Sequence, residues 1–198
     1  MSKRRLEEIA AVYQVLDAAR ALGSRVLRDG TELIGHVPHI APEAWLHVLF
    51  PGLDAADIRQ TGEEAGHRME PSFARFLAYH NGLSVFSGAL YLYGLRKRNR
   101  RRDLDDWEPF SIGVPNVKER PKDAQGTHLF VGGYSDDGSR LYVDTATAVV
   151  YRCARHSVEP WQFWPSFFEM LESEVARLAG LFDEGGRRST LGPKAPAR

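Results

Sequence analysis

The chain holds a single cysteine, Cys153, among its 198 residues. One thiol excludes an internal disulfide, and it excludes the multi-cysteine zinc sites, which need several thiolates. A reducing compartment is the matching expectation. Long apolar runs are missing too: nothing approaches the roughly eighteen consecutive apolar residues of a spanning helix. The segment from Lys3 to Glu8 is charged and leads to no apolar stretch with a small-residue cleavage site, so a cytoplasmic protein is expected. No charge of one sign predominates. Lysine plus arginine total 26 and aspartate plus glutamate total 26, which removes any global pull toward nucleic acid or an anionic membrane. There is no internal repeat, and the length suits one substantial core rather than two.

What is present is a series of periodic segments. Leu6, Ile9, Tyr13, Leu16 and Ala19 follow helical spacing, with Gly23 placed to cap the helix. Thr31–Val37 reads as a short strand, and Pro42–Phe50, with Trp45, Leu46 and Phe50, as a short apolar helix broken by Pro51-Gly52. Asp54 can cap a helix over 55–66, and Asp57 adds charge that suits its N-terminus. Pro71 opens a helix whose Phe73, Phe76, Leu77 and His80 share one face, and Asn81-Gly82 is expected to end it. Leu90–Gly94 then reads as an aromatic strand.

Further on, 107–127 is rich in proline and fits an irregular connection. His128–Tyr134, Arg140–Asp144 and Ala148–Cys153 are separated by short turn-like segments, which predicts an antiparallel meander. Val149, Tyr151 and Cys153 alternate onto one face, and Gly132-Gly133 suggests a bulge or a close backbone approach rather than a phosphate loop. Ser166 and Glu169 have capping-box spacing before a stripe of Phe168, Leu171, Val175, Leu178 and Phe182. The predicted closing helix runs from Phe167 to Phe182, and residues 184–198 are expected to be a mobile tail.

Chemistry-bearing groups are sparse. His36 and His39 lie close together but have no third ligand nearby in sequence. His80 falls on an apolar stripe and reads as a partly buried histidine or a helix-end cation rather than a general base, and Cys153 reads as a core thiol. Asp136-Asp137, with Asp144 at the end of the next strand, could share a cation, but Asp137-Gly138 is also an ordinary turn pair. The basic run 96–102 could be a solvated loop, a protein-binding patch or a nucleic-acid contact; the aspartates beside it argue against the last. Trp161, Phe163 and Trp164 could pack the last helix or form an interface.

The order of these motifs resembles the SUKH superfamily. The resemblance rests on Leu53–Ile58 with Glu63-Glu64, the proline-initiated aromatic helix ending in Asn81-Gly82, Leu90–Gly94, Phe130–Tyr134 with Asp137-Gly138, Leu141–Asp144, Val149–Tyr151 and Ser166–Leu171. It implies an α+β domain with a mostly antiparallel sheet flanked by helices, here with an extra N-terminal helix. Bacterial members of that family are typically immunity proteins that neutralise a cognate toxin, and fungal members act in regulation of cell-wall synthesis. The expected layout is an N-terminal helical extension over 1–52 packed on a domain at 53–183, with the tail at 184–198. The expected function is non-enzymatic binding of a toxin domain, without cofactor or metal. A regulatory scaffold, and more remotely a nucleic-acid-binding protein or a hydrolase, are the alternatives. The residues expected to meet the partner are Arg96, Arg98, Arg100, Arg101, Asp136, Asp137 and Trp161.

Overall fold

The short turns after residue 128 do form a meander, and its strands run from Ser24 to Trp164. The computed structural model describes residues 7–97 and 107–189. Among the described residues, nine strands form one sheet: β1 (Ser24–Val26), β2 (Glu32–His36), β3 (Trp45–Pro51), β4 (His80–Val85), β5 (Leu90–Leu92), β6 (His128–Tyr134), β7 (Arg140–Asp144), β8 (Val150–Cys153) and β9 (Pro160–Trp164). Each is antiparallel to its neighbour, and the spatial order is the sequence order. The α-helices among the described residues are α1 (Ala10–Ala18), α2 (Ala55–Ala65), α3 (Pro71–Tyr79) and α4 (Phe167–Ala179). The fold is α+β, a sheet flanked by helices.

Helix boundaries follow capping chemistry. The Asp54 carboxylate accepts hydrogen bonds from the amides of Ala56 and Asp57, and Gly66 closes α2 in the left-handed conformation. Glu70 accepts from the Phe73 amide, with Pro71 in the first turn of α3. The Ser166 hydroxyl accepts from the Glu169 amide at the start of α4. The aromatic faces of α3 and α4 meet in the core, where Phe73 and Phe76 lie 5.2 and 5.3 Å from Phe167 between ring centroids. Ile9, Val12 and Leu16 at the start of the chain join the same core.

Several expectations are corrected. Residues 45–50 form β3, not the apolar helix expected over Pro42–Phe50; five consecutive residues, Leu46 to Phe50, are buried, so no period of two marks the strand. The stretch expected as a helical extension thus contributes three strands to the common sheet. Helix α3 ends at Tyr79, because His80 is already extended and pairs with Pro51. Gly82 does have a positive φ of 77°, but inside β4 rather than at a helix cap. Helix α4 stops at Ala179. The connection at 107–127 includes a π-helical turn, Val114–Lys118. The described part of the expected tail folds back: the Ser189 amide donates to the Leu181 carbonyl, and Phe182 bridges to Arg188. Residues 190–198 lie outside the described residues.

The excursion between β5 and β6 is held by side chains that imitate backbone. Asn81 donates its amide to the Leu95 carbonyl at 2.8 Å and accepts from the Leu95 amide at 2.6 Å, as a paired strand would. Asn116 does the same for Phe130, at 2.8 Å in each direction, and also donates to the Ile112 carbonyl at 2.9 Å. Gly132 permits the close approach of β5, since a side chain there would strike the Tyr91 carbonyl, and the ladder shifts register between Phe130 and Gly132. Replacing Asn116 with alanine strands buried backbone groups of Phe130, and the expected cost is about 2–4 kcal/mol, read as a lower urea midpoint at unchanged slope.

Two buried histidines tie stability to pH. Burial lowers the His47 pKa to about 3, and its Nδ1 accepts from the Phe86 amide at 3.2 Å. Burial also lowers the pKa of His80, although the Phe50 carbonyl favours the protonated form. His80 Nδ1 donates to that carbonyl at 3.0 Å, which leaves Nε2 to accept from the Tyr13 hydroxyl at 2.6 Å. Both imidazoles hold fewer protons folded than unfolded, so their contribution is complete above the unfolded value of about 6.5 and is lost as pH falls below it. His47 alone should remove about 2 kcal/mol between pH 7 and pH 5. Chemical denaturation across that range should show a clearly smaller loss in His47→Asn, which keeps an acceptor and removes the titration.

Candidate functional site

Antiparallel order divides the connections between two ends of the sheet. The β2–β3, β4–β5, β6–β7 and β8–β9 connections gather at one end, and β1–β2, β3–β4, β5–β6 and β7–β8 at the other. The Asp136-Asp137 turn and the start of β9, with Trp161, therefore share an end. Arg96 follows β5 and lies at the opposite one. The structure therefore does not bring Arg96 and Lys97, the described part of the basic segment, onto one surface with the acidic turn. Arg96 donates to Glu108 at 3.0 Å, Lys97 pairs with Asp57, and Arg98, Arg100 and Arg101 lie outside the described residues.

The two aspartates of the β6–β7 turn have different partners. Asp137 accepts from the Ser139 amide at 2.9 Å and from the Arg152 guanidinium at 2.9 Å. Partial burial works against its ionisation, but the hydrogen bonds from Ser139 and the charge of Arg152 hold the carboxyl below its ordinary pKa. Arg152 also donates to the Ser139 hydroxyl and stacks 3.8 Å from the Tyr134 ring centroid. The Tyr134 hydroxyl in turn donates to Glu174, a buried carboxylate of α4 held by Arg177. Asp136 turns away from this group and pairs with Arg188 at 2.6 Å. Next to the turn, the Ser135 hydroxyl donates to the Gly88 carbonyl at 2.6 Å, locking it to the β4–β5 loop.

Strand β9 is an edge of the sheet and carries a β-bulge. Arg152 pairs with Gln162, while the next β8 residue, Cys153, pairs with Pro160, so Trp161 is the extra residue. Bulges and prolines on an edge obstruct addition of a foreign strand. This edge nevertheless shows two large aromatics: Trp161 is 56% and Phe163 68% exposed, whereas Trp164 is buried in the core. The Arg152 guanidinium lies 5.9 Å from the Trp161 ring, which joins the tryptophan to Asp137.

The other groups weighed from sequence are placed apart. Cys153 is fully buried, and burial pushes its thiol up to about 12, which fits the core reading. Asp144 is at the far end of β7 from Asp136-Asp137, where it accepts from the Ala146 amide at 3.0 Å. His36 donates Nε2–H to the Pro42 carbonyl at 2.9 Å. Among the described residues, no three histidine, cysteine or acidic side chains are grouped to hold a metal, and no helix is long and apolar enough to cross a membrane.

Compared with protein-family models and with curated proteins, the chain matches none.

Sequence reasoning missed Arg152, Arg188 and Phe86, which shape the surface around the turn. The two arginines pair with residues distant in sequence and leave no local signature. An aromatic at Phe86 gave no sign of its left-handed backbone. If Trp161 is a surface group and Trp164 a core group, Trp161→Ala should change stability by under about 0.5 kcal/mol, and Trp164→Ala should cost about 3–5 kcal/mol, in parallel urea titrations.

Proposed function

We propose that the chain is a non-enzymatic protein-binding domain of the immunity type, which neutralises a cognate toxin by occupying the toxin's working surface. The observation that carries this reading is the bulged edge strand β9, which exposes Trp161 beside Arg152 and Asp137 and exposes Phe163 against Tyr151. Tryptophan and arginine dominate interface hot spots, and a rigid sheet end can present them with little ordering cost. The edge is blunted against strand addition, so recognition proceeds through side chains rather than through main-chain pairing. The motif order shared with the SUKH superfamily supports the same class. Inhibition of this kind requires only complementarity and occlusion, and the domain supplies no chemical step.

The test is co-expression with toxin-domain proteins encoded beside the gene. One of them should co-purify in a one-to-one complex and lose its activity. Combining Trp161→Ala with Phe163→Ala should weaken the complex by about 30-fold or more, read by titration calorimetry on variants of wild-type stability. Failure of every such neighbour to bind, together with a catalytic activity of the domain itself, would overturn the proposal.

A further inference from the structure

The same end of the sheet contains a cleft of about 290 Å3, bordered by His39, Ile40, Phe86, Ala89, Phe182 and Arg187. Its walls are apolar. Phe86 and Ala89 are buried, and Ile40, although 53% exposed, has no polar role. The rim is cationic: the one carboxylate there, Asp136, is taken up by Arg188, whereas the Arg187 guanidinium has no acidic partner among the described residues. The Arg187 backbone is fixed, since its amide donates to the Asp183 carboxylate at 2.8 Å.

One wall is held in an unfavourable backbone conformation. Phe86 and Ser87 have φ values of 54° and 55°, the left-handed region, which a bulky L-residue occupies at a cost of about 1–2 kcal/mol. Such a conformation persists where surrounding contacts over-determine it. Here the Phe86 ring lies 4.8 Å from His47 and 5.2 Å from Phe182, and its amide donates to His47 Nδ1. The wall is therefore formed in advance of any occupant.

We infer that this cleft receives one aromatic side chain of a partner protein, flanked in that partner by acidic residues that pair with Arg187. The inference rests on the protein-binding reading and goes beyond it, since it assigns a second anchoring point and its chemistry. An apolar floor of this volume suits a single ring, and a rim with an arginine engaged in no ion pair among the described residues favours negative charge beside it.

The probe is a blocked pentapeptide with one phenylalanine between two pairs of aspartates, titrated into the full 15N-labelled chain. Saturable shifts are expected at the amides of Ser87, Gly88 and Arg187, weakening with added salt. Arg187→Glu, an exposed substitution, should reduce affinity by about fivefold or more. Ala89→Trp, which fills the cleft, should abolish the shifts; the dispersion of its own spectrum shows whether it is folded, and replacing the peptide's phenylalanine with alanine makes the same test without altering the protein. Absence of saturable shifts at these amides, equal binding of a lysine-flanked peptide, or indifference to Arg187→Glu would overturn the assignment. Binding of the acidic peptide with no toxin partner would uphold the cleft and count against the immunity reading. A toxin complex that forms without affecting these amides would do the reverse.

Discussion

The pairing of β5 with β6 is the constraint on which the rest of the structure depends. Every other pair of adjacent strands is joined by a more local connection or by helices that pack nearby, but here the chain departs at Tyr93 and returns at His128. Asn81 and Asn116 fill the positions where a strand would otherwise be missing, and each satisfies both the amide and the carbonyl of a buried residue. An unsatisfied buried backbone group is costly, so these two side chains complete the hydrogen bonding just beyond the main-chain ladder that pairs Leu90–Leu92 with Gly132–Tyr134. Because β5 and β6 pair, the β4–β5 loop and the β6–β7 turn are brought side by side, and the candidate surface exists.

Buried polar groups then stiffen that surface from behind. Tyr134, whose phenol is pushed far above its ordinary pKa by burial and by the charge of Glu174, connects α4 to the turn through the stacked Arg152. His47 fixes Phe86 through a hydrogen bond and an edge-on ring contact. Both Trp161 and the cleft wall are thus backed by satisfied polar networks, which fix geometry more tightly than apolar packing alone because each bond has a direction. A surface rigid before it meets a partner loses less conformational entropy on binding.

Much of the fold was legible where local chemistry agrees with tertiary structure. The strands of 128–153 were readable because Asp137-Gly138 and Thr145–Thr147 punctuate them, and α2 and α4 because Asp54 and Ser166 cap them. β3 was not, since a run buried on both faces has neither a strand nor a helix period. β4 was hidden because its first residues continue the apolar stripe of α3. Asp136, Asp137 and Trp161 of the candidate surface were named from the sequence, but their separation from Arg96 depends on which way each hairpin turns, and that follows from strand count. The bulge that exposes Trp161 arises from register between β8 and β9, which no single segment encodes.

The most direct measurement is a hydrogen-exchange footprint of the domain in complex with the toxin-domain protein proposed as its partner. Protection confined to the β4–β5 loop, the turn at 135–139, and β9 from Pro160 to Trp164 is the predicted result. Protection restricted to the opposite end of the sheet, around Arg96, Lys97 and the turn at 145–149, would contradict the account.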